Sequence, residues 1–250
     1  MEIITVTNQK GGVGKTTTAQ HLAIGLRNKG YKVLLIDADQ QTNLSYALNW
    51  DYNASLYEVI TKQIKTEDAI FHSSQCDVIG GNIKLANADK EFCDTGKEYL
   101  FKEALEQIKD DYDYIVIDTP PALGTVTVNA LTCSDSVIIP AQSDVFSLTG
   151  LGQLNNLINT VKKYTNPDLK IKGILLTKYN DRTILNKNLR KTMQNASEQI
   201  GSKVFKTTIR EATAIREAQT KRSNIFNYDK KSKVAKDYMD FVDEFLKDNE

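Results

Sequence analysis

Five short runs of this chain are apolar on both of their faces: Glu2–Thr7, Lys32–Ile36, Tyr114–Asp118, Ser136–Ala141 and Ile171–Thr177. A strand covered on one side alternates polar and apolar residues, whereas one that reads apolar throughout must be covered on both. Helix-length stretches stand between the runs, at Lys15–Lys29, Lys97–Lys109, Leu148–Tyr164 and Arg182–Ile200, and Gly30 follows the first of them as a stop signal would. Alternation of this kind needs crossover connections, which are right-handed in β-α-β units. It predicts an α/β fold: a mostly parallel, twisted sheet with helices on both faces.

With 250 residues, 40% hydrophobic and 26% charged, the chain has the composition of an ordinary globular protein. No repeat, low-complexity tract or Pro/Gly-rich linker divides it, so residues 1–250 read as a single domain. The N-terminus enters a strand directly, without the basic and apolar regions of a secretion signal. No apolar segment approaches the roughly 20 residues that span a bilayer. Cys76, Cys93 and Cys133 are odd in number and far apart, which fits a reducing, cytoplasmic setting. Net charge is zero but unevenly spread. Residues 87–120 carry ten acidic and four basic residues, and residues 181–231 carry twelve basic and five acidic ones. The second region is either a solvated surface or a face that meets a polyanion. Val234, Tyr238, Phe241, Val242, Phe245 and Leu246 recur at helical spacing, as a face packed on its own domain does. The acidic Asp243, Glu244, Asp248 and Glu250 weigh against the other reading, a membrane-binding tail.

The first strand leads into Asn8-Gln9-Lys10-Gly11-Gly12-Val13-Gly14-Lys15-Thr16-Thr17-Thr18, and a helix opens at Lys15. Strand, glycine-rich loop and helix together form a phosphate-binding loop, so the fold narrows to a P-loop NTPase. Gly11, Gly12 and Gly14 let successive N–H groups of residues 11–17, Val13 included, turn toward phosphate oxygens. The helix N-terminus adds partial positive charge. Lys15 reaches the β- and γ-phosphates, the Thr16 hydroxyl ligates Mg²⁺, and Thr17 bonds the α-phosphate. The loop departs from G-x-x-x-x-G-K-[ST] at its first position, where Gln9 replaces glycine, and it carries a second lysine at Lys10.

Two further strands end in carboxylates. Tyr114–Asp118 closes with Asp118, followed by Thr119-Pro120-Pro121, and Val33–Ile36 is followed by Asp37-Ala38-Asp39. Ligands of open parallel sheets bind at the C-terminal strand ends, where these groups and the loop converge. Asp118 stands where an aspartate supports Mg²⁺ in such sites. An ATP- or GTP-hydrolysing, Mg²⁺-dependent enzyme follows.

Lys10-Gly11-Gly12-Val13-Gly14-Lys15-Thr16 resembles the deviant Walker A loop of the ParA/MinD superfamily of ATPases. Asp37-Ala38-Asp39-Gln40-Gln41-Thr42-Asn43 resembles the D-x-D-P-Q-x-N switch of ParA proteins, and Ile117-Asp118-Thr119-Pro120-Pro121 their I-D-x-P-P Walker B segment. Ser136–Pro140, Gly173–Asn180, Thr208–Arg210 and Ile215–Ala218 are similar to later ParA segments, so the likeness spans nearly the whole chain. Its type is the small, Soj-like one, with nothing before the first strand. One departure is Gln40, where the family has proline, which loosens the switch backbone.

The resemblance implies an ATP-dependent homodimer with two nucleotides at its interface and Mg²⁺ held near Thr16, Asp37, Asp39 and Asp118. It implies that Lys10 reaches the partner's nucleotide, that Asp39 holds the attacking water, and that Lys15 completes the catalytic set. Adenine contacts are implied at Asn180, Thr208 and Arg210. Sequence-independent binding of double-stranded DNA is implied for Lys187, Arg190, Lys191, Arg210, Arg216, Lys221 and Arg222. The expected function is ATP-dependent DNA segregation, slow in isolation and stimulated by a ParB-like centromere-binding protein, with the ATP-bound form on the nucleoid and no stable membrane anchor. Relatives with other tasks share the loop: MinD-like membrane-cycling regulators, metabolic or electron-transfer enzymes, and ATPases that position other cargo. The glycine-rich contexts of the iron-cluster cysteines of nitrogenase iron protein are missing around Cys93 and Cys133. His21 and His72 lack partners at metal spacing, and Trp50 reads as loop packing.

Overall fold

The computed structural model describes residues 1–51, 54–181 and 183–248. Along the first half of the chain come β1 (Glu2–Val6), α1 (Lys15–Asn28), β2 (Val33–Asp37), α2 (Asn43–Ala47), α3 (Leu56–Ile60), β3 (Phe71–His72), β4 (Asp77–Ile79), α4 (Ala88–Glu91), α5 (Leu100–Glu106) and β5 (Tyr114–Asp118). The second half adds α6 (Thr125–Cys133), β6 (Ser136–Ala141), α7 (Val145–Tyr164), β7 (Lys170–Leu176), α8 (Ile184–Gln199), β8 (Val204–Thr208), α9 (Thr213–Thr220), α10 (Ile225–Tyr228) and α11 (Lys233–Lys247).

One eight-stranded sheet in the order β3-β4-β2-β5-β1-β6-β7-β8 runs through the molecule. Every pairing is parallel except that of the two-residue edge strand β3 with β4. The register sets the site: Val6 lies beside Asp118 and Asp118 beside Asp37, so three strand ends finish level. Pro140, which has no N–H to give, lies in β6 beyond the last residue paired with β1, and its carbonyl accepts from Asn8 Nδ2 at 2.7 Å.

Both faces of the sheet are buried, as the apolar runs required. Ile4, Val6, Leu35, Val116 and Ile138 point to one side, under α1, α10 and α11. Ile3, Leu34, Ile36, Ile115 and Ile117 point to the other, under α3, α5 and α6, and Val137, Ile139, Ile174 and Leu176 lie under α7 and α8. The C-terminal stripe is packed inside: Val234, Tyr238, Phe241, Val242 and Phe245 are buried against α1 and β8. Phe241 meets Phe205 edge to face at 5.1 Å. Phe241→Ala is expected to cost about 3–5 kcal/mol, read as a shifted urea-unfolding midpoint. No helix among the described residues is long and apolar enough to cross a membrane.

Element boundaries move where caps override periodicity. The helix expected from Leu148 begins at Val145, because Asp144 Oδ1 accepts the Ser147 N–H at 2.9 Å. The one expected from Lys97 opens as a 3₁₀ turn over Lys97–Tyr99, behind Gly96 in the left-handed region, and becomes α-helical at Leu100. Arg182, the expected start of another helix, lies outside the described residues; the helix runs from Ile184, capped by the Thr183 hydroxyl.

Candidate active site

At the C-terminal ends of β1, β2 and β5 lies a cleft of about 900 Å³. Its floor is the loop between β1 and α1. Gly12 (φ 73°) and Gly14 (φ 89°) adopt left-handed backbone that an L side chain resists, and Gly14 ends the loop as the N-cap of α1. No side chain caps that helix and no acid occupies its first turn, which leaves the N-terminal N–H groups for an anion. The loop's outward carbonyls are tied down from the opposite wall. Thr177 Oγ1 donates to Val13 O at 2.7 Å, Lys178 Nζ to Gly12 O at 2.9 Å, and Gln142 Nε2 to Gly12 O at 3.2 Å.

Lys15 is buried, and its ammonium donates to the Lys10 carbonyl at 3.2 Å. Burial pulls its pKa below the usual lysine range, against the attraction of Asp118 and Asp39. Asp118 is fully buried, and neither carboxylate oxygen has a hydrogen-bond partner. Burial, then the neighbouring charge of Asp37, push its carboxyl well above the ordinary range, while the Thr16 hydroxyl and Lys15 act the other way. An orphaned carboxylate beside a hydroxyl fits a hard cation that takes oxygen ligands and completes its shell with water and phosphate. Among the described residues no three His, Cys, Asp or Glu side chains gather into a self-sufficient metal site, so any cation here would lean on its phosphate.

Asp37 differs from Asp118 although both are fully buried at paired strand ends. Its Oδ1 accepts the Asp39 N–H at 3.2 Å, and its Oδ2 accepts Ser45 N–H at 2.8 Å and Ser45 Oγ at 2.6 Å. Burial still raises its pKa to about 6 against those donors. Asp39 lines the cleft and its Oδ1 accepts the Gln41 N–H at 3.0 Å, while Thr42 N–H closes the turn on Asp39 O at 3.0 Å. The turn therefore forms with Gln40 in the place of proline.

Lys10 points away from its own loop. Its ammonium pairs with Asp144 at the start of α7, and its N–H donates to Asn8 Oδ1 at 3.0 Å. Burial opposes charge on Asp144, but Lys10 and the Ser147 N–H outweigh it and hold the carboxyl below its usual range.

The far wall of the cleft is Lys178, then Ile209–Ala212, then the face of α9 with Ile215, Arg216 and Gln219. Arg210 lines it, whereas Asn180 and Thr208 lie beyond the lining. Gln219 Nε2 donates to Thr17 Oγ1 at 3.2 Å. Behind Thr17, buried His21 receives the Ile225 N–H on Nε2 at 3.0 Å, so its protonated Nδ1 donates to Thr17 O at 2.7 Å. Burial pushes His21 down to about 4, and it stacks on Tyr238 at 4.5 Å as a neutral packing residue.

The basic residues fall into two groups. Lys187 and Lys191 are exposed on α8, and Arg216, Lys221 and Arg222 are exposed on and just after α9. Two members are already engaged. Arg190 donates to Lys206 O at 3.0 Å, and Arg210 forms a two-pronged pair with Asp237 at 2.6 and 2.7 Å. Arg222 stacks 4.1 Å from the centre of the exposed Tyr46 ring, and Lys221 lies over Tyr228.

The AAA domain family matches residues 1–171. The sporulation initiation inhibitor protein Soj of Bacillus subtilis is 40% identical over 249 residues, covering 97% of both chains. The chromosome partitioning protein ParA of Caulobacter vibrioides is 35% identical, covering 98% of this chain and 94% of its own. The chain belongs to the ParA/MinD superfamily. Among solved structures, one of cobyrinic acid a,c-diamide synthase from Mycobacterium smegmatis, with a bound ATP analogue and magnesium, superposes with a TM-score of 0.87. It is 32% identical and covers 99% of this chain and 94% of its own. Gln41 and Asn43 of the switch segment and Lys178 also line the cleft, and it takes in residues that no quoted motif covers: Tyr46 on one wall and Gln219 on the other, with Ser45 behind.

Proposed function

We propose that this chain is an ATP-dependent DNA segregation ATPase whose ATP-bound homodimer binds duplex DNA without sequence preference. The single observation that supports ATP hydrolysis most directly is that Lys15, at an uncapped helix N-terminus lining the cleft, lies within electrostatic reach of Asp39 and of the buried Asp118. The partition role is supported by relatives named Soj and ParA.

In this reading the N–H groups of residues 11–17 and Lys15 bind the triphosphate, and Thr17 takes the α-phosphate. Thr16 and Asp118 hold Mg²⁺, which would supply charge neutralisation on the β- and γ-oxygens. Asp39 orients and deprotonates water for attack on the γ-phosphate. Lys10 leaves Asp144 when two protomers meet and brings its charge to the partner's phosphates, where negative charge grows during transfer. Turnover then depends on the dimer, which is where a ParB-like partner acts. Lys187, Lys191, Arg216, Lys221 and Arg222 supply the exposed cations for DNA phosphates.

Duplex-DNA binding measured with ATP, with ADP and without nucleotide, across a salt series, tests the reading. Binding should require ATP and fall steeply as salt rises, because phosphate contacts release counterions. Binding that ignores nucleotide, or no binding at all, overturns the DNA reading. Sedimentation with anionic vesicles in ATP would then point to a membrane instead.

A further inference from the structure

Behind Asp39 runs a buried chain of hydrogen bonds that ends on a different strand. Gly81 N–H, just past β4, donates to Ser45 Oγ at 2.9 Å. Ser45 Oγ–H and N–H both donate to Asp37 Oδ2, and Asp37 Oδ1 accepts the N–H of Asp39. We propose that Ser45 and Gly81 are positioning residues for hydrolysis, holding Asp39 in place through the Asp37 carboxylate. The role rests on ATP hydrolysis at this cleft.

Three features favour positioning over plain fold support. First, the chain ends on the backbone of Asp39 itself, so the place of that carboxylate depends on every link. Second, the fit at Gly81 has no slack. A Cβ there would lie 2.9 Å from Asp39 O and 3.1 Å from Asp37 Cγ, so any side chain pushes on the turn that presents Asp39. Third, the two buried carboxylates divide their labour. Both oxygens of Asp118 lie buried without a hydrogen bond, while Asp37 has given both of its own to the protein. An Asp37 saturated by N–H and O–H donors works as a strut between β2, α2 and the end of β4. Ser45 connects all three, accepting with the same oxygen whose proton it donates. A hydroxyl is required there because an apolar side chain would strand a buried N–H and shorten the strut by a bond.

The test is steady-state Mg·ATP hydrolysis by the full chain with saturating duplex DNA, alongside nucleotide affinity from a fluorescent ATP analogue. Ser45→Ala should lower kcat by about tenfold to a hundredfold, the scale of a small misplacement near a reacting centre, with nucleotide affinity unchanged. Ser45→Thr keeps the hydroxyl and should restore kcat. Gly81→Ala should mimic Ser45→Ala by pushing rather than by releasing. Wild-type kcat in Ser45→Ala overturns the proposal, as does a Thr variant no better than Ala, or equal loss of binding and turnover in both. If the wild-type chain itself hydrolyses no ATP, the ATPase reading falls and takes this role with it, an outcome visible in the first arm.

Discussion

Lys15→Ala is expected to abolish measurable nucleotide binding while leaving the apo protein at least as stable as before. The ammonium is buried at the foot of the phosphate loop, where it donates a hydrogen bond to the Lys10 carbonyl. Burial already pulls its pKa down, so in the empty cleft this charge is a strain on the fold. Deleting it relieves that strain. In the filled cleft the balance reverses, because a charge-assisted bond to phosphate is worth about 1.5–3 kcal/mol before longer-range attraction is counted. Affinity should fall about tenfold to a hundredfold from that bond alone, and further once the longer-range attraction is included. Titration calorimetry with Mg·ATP and thermal unfolding of the apo variant measure the two halves separately. Affinity within a few-fold of wild type would remove Lys15 from the phosphate site. Lys15→Arg should not rescue, since a planar fork cannot replace a point charge in a pocket closed by Thr177 and Lys178 on the loop's far side.

Asp39→Ala should retain ATP and lose turnover by about 10²–10⁴-fold, the range of a general base. Asp39 lines the cleft but donates nothing to the loop, and its Oδ1 contact is with the backbone of Gln41. Nucleotide binding therefore has no need of it. Asp39→Asn sharpens the test, because an amide oxygen still accepts the Gln41 N–H and keeps the turn. If Asn restores turnover, geometry suffices; if it is as slow as Ala, the charge is needed. Single-turnover hydrolysis beside analogue binding reads both, and normal hydrolysis by Asp39→Ala would displace it from its assigned role.

The parts of this site that were legible in sequence are those held by local chemistry. Gly12 and Gly14 need positive φ, Asp118 and Asp37 end apolar strands, and Lys15 opens a helix, each a feature set by its immediate sequence neighbours. The doubly buried sheet was legible for the same reason, since Ile3 and Ile4 face opposite layers and both are apolar. Short β4 was not, because three residues carry too little pattern, nor was β8, an edge strand reading Val-Phe-Lys-Thr-Thr in which only Phe205 is buried. The supports were hidden by distance: Ser45 meets Gly81 across 36 residues, Lys10 meets Asp144 across 134, and Gln219 meets Thr17 across 202. Charge counting has the same blind spot. Arg210 looked like a free cation until folding brought Asp237 to it.

Trp50 follows α2, with its N–H on Ser45 O at 3.0 Å. Its indole lies so close on Gly80 that a Cβ there would fall 2.3 Å from the ring. It is the only tryptophan in the chain. The segment that carries Asp39 thus contains its own optical reporter: selective excitation sees one ring, and its emission follows the seat on Gly80. Nucleotide-driven motion of that segment can be timed by stopped flow in unlabelled, unmodified protein.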